Sequence, residues 1–136
     1  MRLKPISLYK GSTPTDLTNL LVFRETHAHA DHLTAAHYIK HKLGGGVPVG
    51  IGARINQVQE TFGPIYGLDD PGVFDGVFDI LFGDDEPITV GSFTGKVIHL
   101  PGHTPDHVGY VIGKAVFTGD SIFNVRGICF SADSSR

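Results

Sequence analysis

The residues best suited to chemistry lie in Glu25-Thr26-His27-Ala28-His29-Ala30-Asp31-His32, where three imidazoles and a carboxylate fall within six positions. In an extended loop His27 and His29 point the same way, and Ala28 is too small to obstruct them. Asp31 and His32 then turn onto the next element and can face the same cavity. Imidazole nitrogen and carboxylate oxygen together suit zinc and iron, so the stretch reads as half of a metal site. The other half comes later, from His103 in Pro101-Gly102-His103-Thr104 and Asp120 in Phe117-Thr118-Gly119-Asp120. Each later motif is weak alone, and only the combination argues for ligands.

Two sites can be built from these donors. In one, His27, His29 and His103 hold a first metal, while Asp31, His32 and a bridging Asp120 hold a second. Metal binding there lowers a water pKa from about 15.7 to about 7 for attack on a thioester. In the other, His27, His103 and Asp120 form a two-histidine, one-carboxylate face around a single Fe(II), with open positions for oxygen and substrate. Spacing alone leaves both open. The remaining histidines have structural readings: His37 and His41 sit four apart among lysines on a solvated helix face, and His99 is a hydrogen-bonded core or boundary residue of a strand. His107, after Pro105-Asp106, either lines a pocket or is exposed. Thr104 is expected to supply a hydroxyl that fixes a ligand's tautomer.

The elements that must position these groups follow from the pattern. The apolar run Leu20 to Phe23 predicts a strand that delivers the first histidines at its carboxyl end, where ligands gather in parallel sheets. From Asp31 the period becomes helical, with Leu33, Ala36 and Leu43 facing the sheet and Lys40 and Lys42 in water, until Gly44-Gly45-Gly46 stops it. Val47 to Ile51 is the next parallel strand, and Ala53 to Phe62 a short helix. Residues Gly63 to Gly76 form a loop. Strands are predicted at Phe78 to Phe82, Ile88 to Val90, Lys96 to Leu100 and Val108 to Ile112. Gly113-Lys114 is a two-residue hairpin turn leading to Ala115 to Thr118, so strand ends present both later ligands.

Composition bounds the rest. The 136 residues, 40% hydrophobic and 18% charged with 18 glycines, describe one loop-rich globular domain. No apolar run approaches the roughly 20 residues that span a bilayer. The formal charge of −3 gives no basic footprint for nucleic acid, so a small-molecule partner fits better. The single cysteine, Cys129, leaves no intrachain disulfide and agrees with a reducing compartment. The reading is intracellular and cytoplasmic, with Arg2, Lys4 and Lys10 raising a mitochondrial alternative.

Taken together, His-x-His-x-Asp-His, Gly-His-Thr-Pro and Thr-Gly-Asp-Ser resemble the metallo-β-lactamase superfamily over about residues 20–123. They look most like the persulfide dioxygenase branch and its bacterial β-lactamase-like hydrolase relatives. The resemblance implies an α/β chain with the superfamily's αββα sandwich and metal held among His27, His29, Asp31, His32, His103 and Asp120, with Asp31 also a catalytic candidate. For the dioxygenase branch it implies one Fe(2+) on His27, His103 and Asp120, and oxidation of glutathione persulfide to sulfite. The alternative is a glyoxalase II-like thioester hydrolase carrying Zn(2+). Members usually have more strands before the first motif and a further histidine beyond the aspartate. The chain is therefore expected to be a partial domain with a divergent tail over 124–136, and an inactive fragment is the non-enzymatic alternative.

Overall fold

The computed structural model describes residues 22–28, 35–70 and 72–122. Among the described residues three parallel strands come first: β1 (Phe23–Arg24), β2 (Val49–Gly52) and β3 (Ile80–Phe82), hydrogen-bonded in that order. Helix α1 (Ala36–Lys42) connects β1 to β2, and α2 (Ile55–Phe62) lies between β2 and β3. All four residues of β2 are buried, as expected of a parallel strand covered on both faces. The antiparallel meander β4 (Pro87–Val90), β5 (Phe93–His99), β6 (Val108–Ile112) and β7 (Ala115–Phe117) follows.

The two sheets meet in one apolar cluster. Phe82 of β3 packs with Ile88, Val97, Val108 and Tyr110 of the meander, and the Phe82 and Tyr110 rings cross edge-on at 5.9 Å. Burying side chains such as Val97 and Val108, at 0% and 1% exposure, stabilises the fold by roughly 1.5–3 kcal/mol each. The described residues thus form part of the expected α/β sandwich.

Most elements fall where the sequence puts them, with instructive shifts. Strand β5 begins at Phe93, three residues before the predicted Lys96, because pairing with β4 carries the ladder through Thr94 and Gly95. Helix α1 buries Ala36 as expected, but Leu43 is 41% exposed because it caps the helix as the chain turns away. Leu33 lies outside the described residues, as do Leu20 and Leu21 of the predicted first strand. His37, His41 and Lys42 are exposed, so the polar-face reading of α1 holds for them. Lys40 is instead partly covered, donating to Asp79 Oδ2 at 2.6 Å while Val49 N donates to the same oxygen at 2.7 Å. That carboxylate joins α1 to the parallel sheet. Lys40 first, then Val49, holds the Asp79 carboxyl below the usual carboxylate range. Gly113, at φ +57°, supplies the left-handed residue the predicted β6–β7 hairpin needs.

Candidate metal centre

Three chain segments deliver three donors to one place, each just beyond a strand's carboxyl end. His27 follows β1, His103 follows β5, and Asp120 follows β7. His27 is the most deeply set. Glu25 N donates to Gly50 O at 2.8 Å, Val108 N donates to Thr26 O at 2.9 Å, and the Tyr110 hydroxyl donates to Glu25 O at 2.6 Å. The backbone leading to His27 is thus fastened to both sheets, and its side chain is 3% exposed.

The His103 turn is clamped from within. His99 Nε2 donates to Pro105 O at 2.8 Å, Leu100 N to His107 O at 2.9 Å and His107 N to Thr104 O at 3.3 Å. His99 is therefore a hydrogen-bonded boundary residue that shapes the turn, in line with its structural reading. Asp120 sits in a single 3₁₀ turn, Gly119–Ser121, just after β7. Gly119 is required there: at φ +51°, a Cβ would stand 2.4 Å from Thr26 Oγ1 and 3.0 Å from His107 Nε2.

His27 Nε2 and His103 Nε2 each lie 3.6 Å from Asp120 Oδ2, and the three donor atoms all fall within 4.8 Å of one another. Donors on zinc or iron at about 2.0–2.2 Å stand roughly 3.0–3.5 Å apart, so a contraction of roughly an ångström closes the set on one ion. Thr26 Oγ1 lies 3.1 Å from His27 Nδ1. An Nδ1–H donating to that hydroxyl leaves the Nε2 lone pair facing His103 and Asp120, the tautomer that a ligand needs. The donor set therefore fits a divalent metal. His29, Asp31 and His32 lie outside the described residues.

Two features were missed in the sequence. The hydroxyl beside a ligand imidazole belongs to Thr26, whereas Thr104 Oγ1 is buried with no hydrogen-bond partner among the described residues. His107, left open between pocket and surface, is 0% exposed. Its ring stacks on His27 at 4.4 Å and 17°, meets His103 edge-on at 5.9 Å, and donates from Nε2 to Thr118 O at 2.8 Å. Burial pushes its pKa below the ordinary histidine value, partly offset by the Thr118 bond, so the ring is neutral at pH 7. Only the tertiary fold reveals this, since Asp106-His107 has no local period to mark it. Asp106 beside it is 1% exposed with neither carboxylate oxygen hydrogen-bonded among the described residues, which concentrates desolvation cost in the ligand-bearing turn.

A cavity of about 540 Å³ opens beside His103, walled by Ala28 and by Val58, Phe62 and Tyr66. Its size suits a small ligand. Tyr66 comes from the Gly63 to Gly76 loop, which therefore borders the site.

Residues 6–134 match the Metallo-beta-lactamase superfamily. The chain is 49% identical over 102 residues to Glyoxylase B2 of Dictyostelium discoideum, covering 73% of this chain and 34% of that protein. It is 31% identical over 111 residues to a Hydroxyacylglutathione hydrolase of Nitrobacter hamburgensis, covering 80% and 35%. Among solved structures, ETHE1 from Myxococcus xanthus aligns at a TM-score of 0.54 and 26% identity, over 80% of this chain and 39% of that one. The chain thus spans about a third of the length of the two curated relatives. A parallel sheet packed on an antiparallel meander, two histidines and an aspartate converging at their strand ends, and a match over nearly the whole sequence lead to one assignment: the chain belongs to the metallo-β-lactamase superfamily.

Proposed function

We propose that the protein is a metal-dependent enzyme acting on a glutathione-derived sulfur compound, and specifically a persulfide dioxygenase with one iron on His27, His103 and Asp120. The observation that carries this reading is the convergence of those three donors within 4.8 Å, a two-histidine, one-carboxylate face of the kind that non-haem Fe(II) oxygenases use. Bound iron would supply redox chemistry toward dioxygen while leaving positions open for a sulfur ligand. The chain's own residues do the rest. Thr26 orients the His27 ring, Val58 and Phe62 give the cavity an apolar wall, and the cavity beside His103 receives the substrate. The motif set's likeness to the persulfide dioxygenase branch supports the same reading. On this reading His29, Asp31 and His32, which lie outside the described residues, would shape the pocket rather than hold a second metal, with Asp31 as a catalytic candidate.

A glyoxalase II-like hydrolase is the second reading, favoured by a 49% identical relative named Glyoxylase B2 and by another named Hydroxyacylglutathione hydrolase. It uses the same three donors together with His29, Asp31 and His32 around zinc, whose contribution is to acidify water.

Metal analysis of anaerobically purified protein, with oxygen uptake on glutathione persulfide and a parallel assay on a glutathione thioester, separates them. The expected result is one iron per chain and persulfide-dependent oxygen uptake. Two zinc ions with thioester hydrolysis would sink the dioxygenase reading, and aggregated protein without metal would favour an inactive fragment.

A further inference from the structure

We infer that His107 is a positioning residue that brackets the metal centre, holding the His27 segment and the Asp120 turn in register without itself ligating. This rests on reading His27, His103 and Asp120 as the ligands.

Three contacts carry it. The His107 ring lies flat on His27 at 4.4 Å and 17°, so His27 cannot swing toward β6 without striking it. Its Nε2–H donates to Thr118 O at 2.8 Å, two residues before Asp120, which fixes the height at which the chain leaves β7. Its backbone carbonyl accepts from Leu100 N at 2.9 Å and its N–H donates to Thr104 O at 3.3 Å, which ties the same residue into the turn that carries His103. All three ligand-bearing segments therefore meet on one fully buried residue, two of them through its ring and the His103 turn through its backbone.

The neighbours are built around that ring. Gly119 has no side chain where a Cβ would come within 3.0 Å of His107 Nε2. Thr118 O is only an acceptor, so the proton must sit on Nε2, leaving Nδ1 as a buried lone pair without a hydrogen-bond partner among the described residues. A hydrocarbon ring would avoid that cost. What a phenyl group cannot supply is the bond to Thr118, and that bond is the feature that distinguishes a bracket from packing. Outer residues that orient metal ligands are typically worth 10–100-fold in metal affinity.

The test uses the whole chain with cobalt(II), iron(II) under anaerobic conditions, and zinc(II) as probes. His107→Gln keeps an N–H near the Nε2 position, while His107→Phe keeps the stack and removes the donor. The expected outcome is that His107→Phe weakens chelator-competed metal affinity by about 10–100-fold and alters the cobalt ligand-field spectrum, while His107→Gln recovers most of both. Equal losses in the two variants, or no loss in either, would overturn the bracket. If His107→Phe does not fold, the parent protein still decides. The ring proton on Nε2 should exchange slowly and show a through-bond coupling to the Thr118 carbonyl carbon, and absence of that coupling defeats the assignment. His103→Ala separates the two layers of inference. If it leaves metal affinity unchanged, the ligand reading and the bracket fall together. If it abolishes binding while the His107 variants bind like the parent, the bracket alone fails.

Discussion

His27 and its two partner ligands are held in different ways. The His27 side chain is 3% exposed, against 23% for His103 and 34% for Asp120. Hydrogen bonds from both sheets fasten the residues leading into His27, whereas His103 and Asp120 ride on turns of the antiparallel meander. One donor is thus part of the core, and the other two are set on partly exposed turns. The difference teaches that the anchor and the adjustable ligands are separable. Stability resides with the first and metal geometry with the others.

Alanine at each position should break this comparison most visibly. His27→Ala is expected to abolish stoichiometric metal binding and also to lower the unfolding free energy of the metal-free chain by about 2–4 kcal/mol, since it empties a buried, stacked site. His103→Ala should abolish metal equally well while costing less than about 1 kcal/mol, as a partly exposed loop substitution. Urea denaturation of the metal-free variants, alongside metal analysis, checks both. Equal stability losses would show that the two histidines are held alike.

A subtler change should move stability and site together. Tyr110, 3% exposed, reaches across from β6 to Glu25 O at 2.6 Å, and burial raises its hydroxyl pKa well above the usual tyrosine value. Tyr110→Phe keeps the ring contact with Phe82 and removes the bond. It should destabilise the chain by about 1 kcal/mol and loosen metal affinity modestly, because Glu25 leads directly into His27. A stability loss with metal affinity untouched would mean that the anchor is over-determined by Val108 and Gly50.

How much of this was readable in advance depends on whether the information is local. The β6–β7 hairpin is written in Gly113-Lys114 between two apolar runs, so it appears where expected. The convergence of His27, His103 and Asp120 was legible because each motif ends a strand pattern with small or turn-forming neighbours. Thr26 and His107 were not, since what makes them matter is a neighbour far away in sequence. Thr26 meets Gly119 and His107 meets Thr118 O. The start of β5 was misjudged for the same reason: Gly95 interrupts the strand signal after Phe93 and Thr94, and the β4 ladder recruits all three.

The smallest effect is expected at the corner farthest from the ligands in kind, where Asp79 joins α1 to β2. Lys40, first, and Val49 N hold its carboxyl below the usual range. A depressed folded-state pKa means that the contribution is present above the unfolded carboxylate value and is lost as pH falls through the folded one, so the window lies below about pH 4. The carboxylate side chain is 37% exposed, so solvent screening limits the effect to less than about 1 kcal/mol. Asp79→Asn removes the charge but leaves an oxygen for Val49 N. It should therefore be slightly less stable than the parent at pH 6, with the gap closing as pH falls below about 4 and the parent's carboxylate protonates. Urea midpoints of the metal-free proteins across that range provide the check, and metal affinity at neutral pH should be the same in both. A gap that persists at low pH would mean that the asparagine disturbs packing, and that the charge of Asp79 has no part in fixing α1 to the parallel sheet.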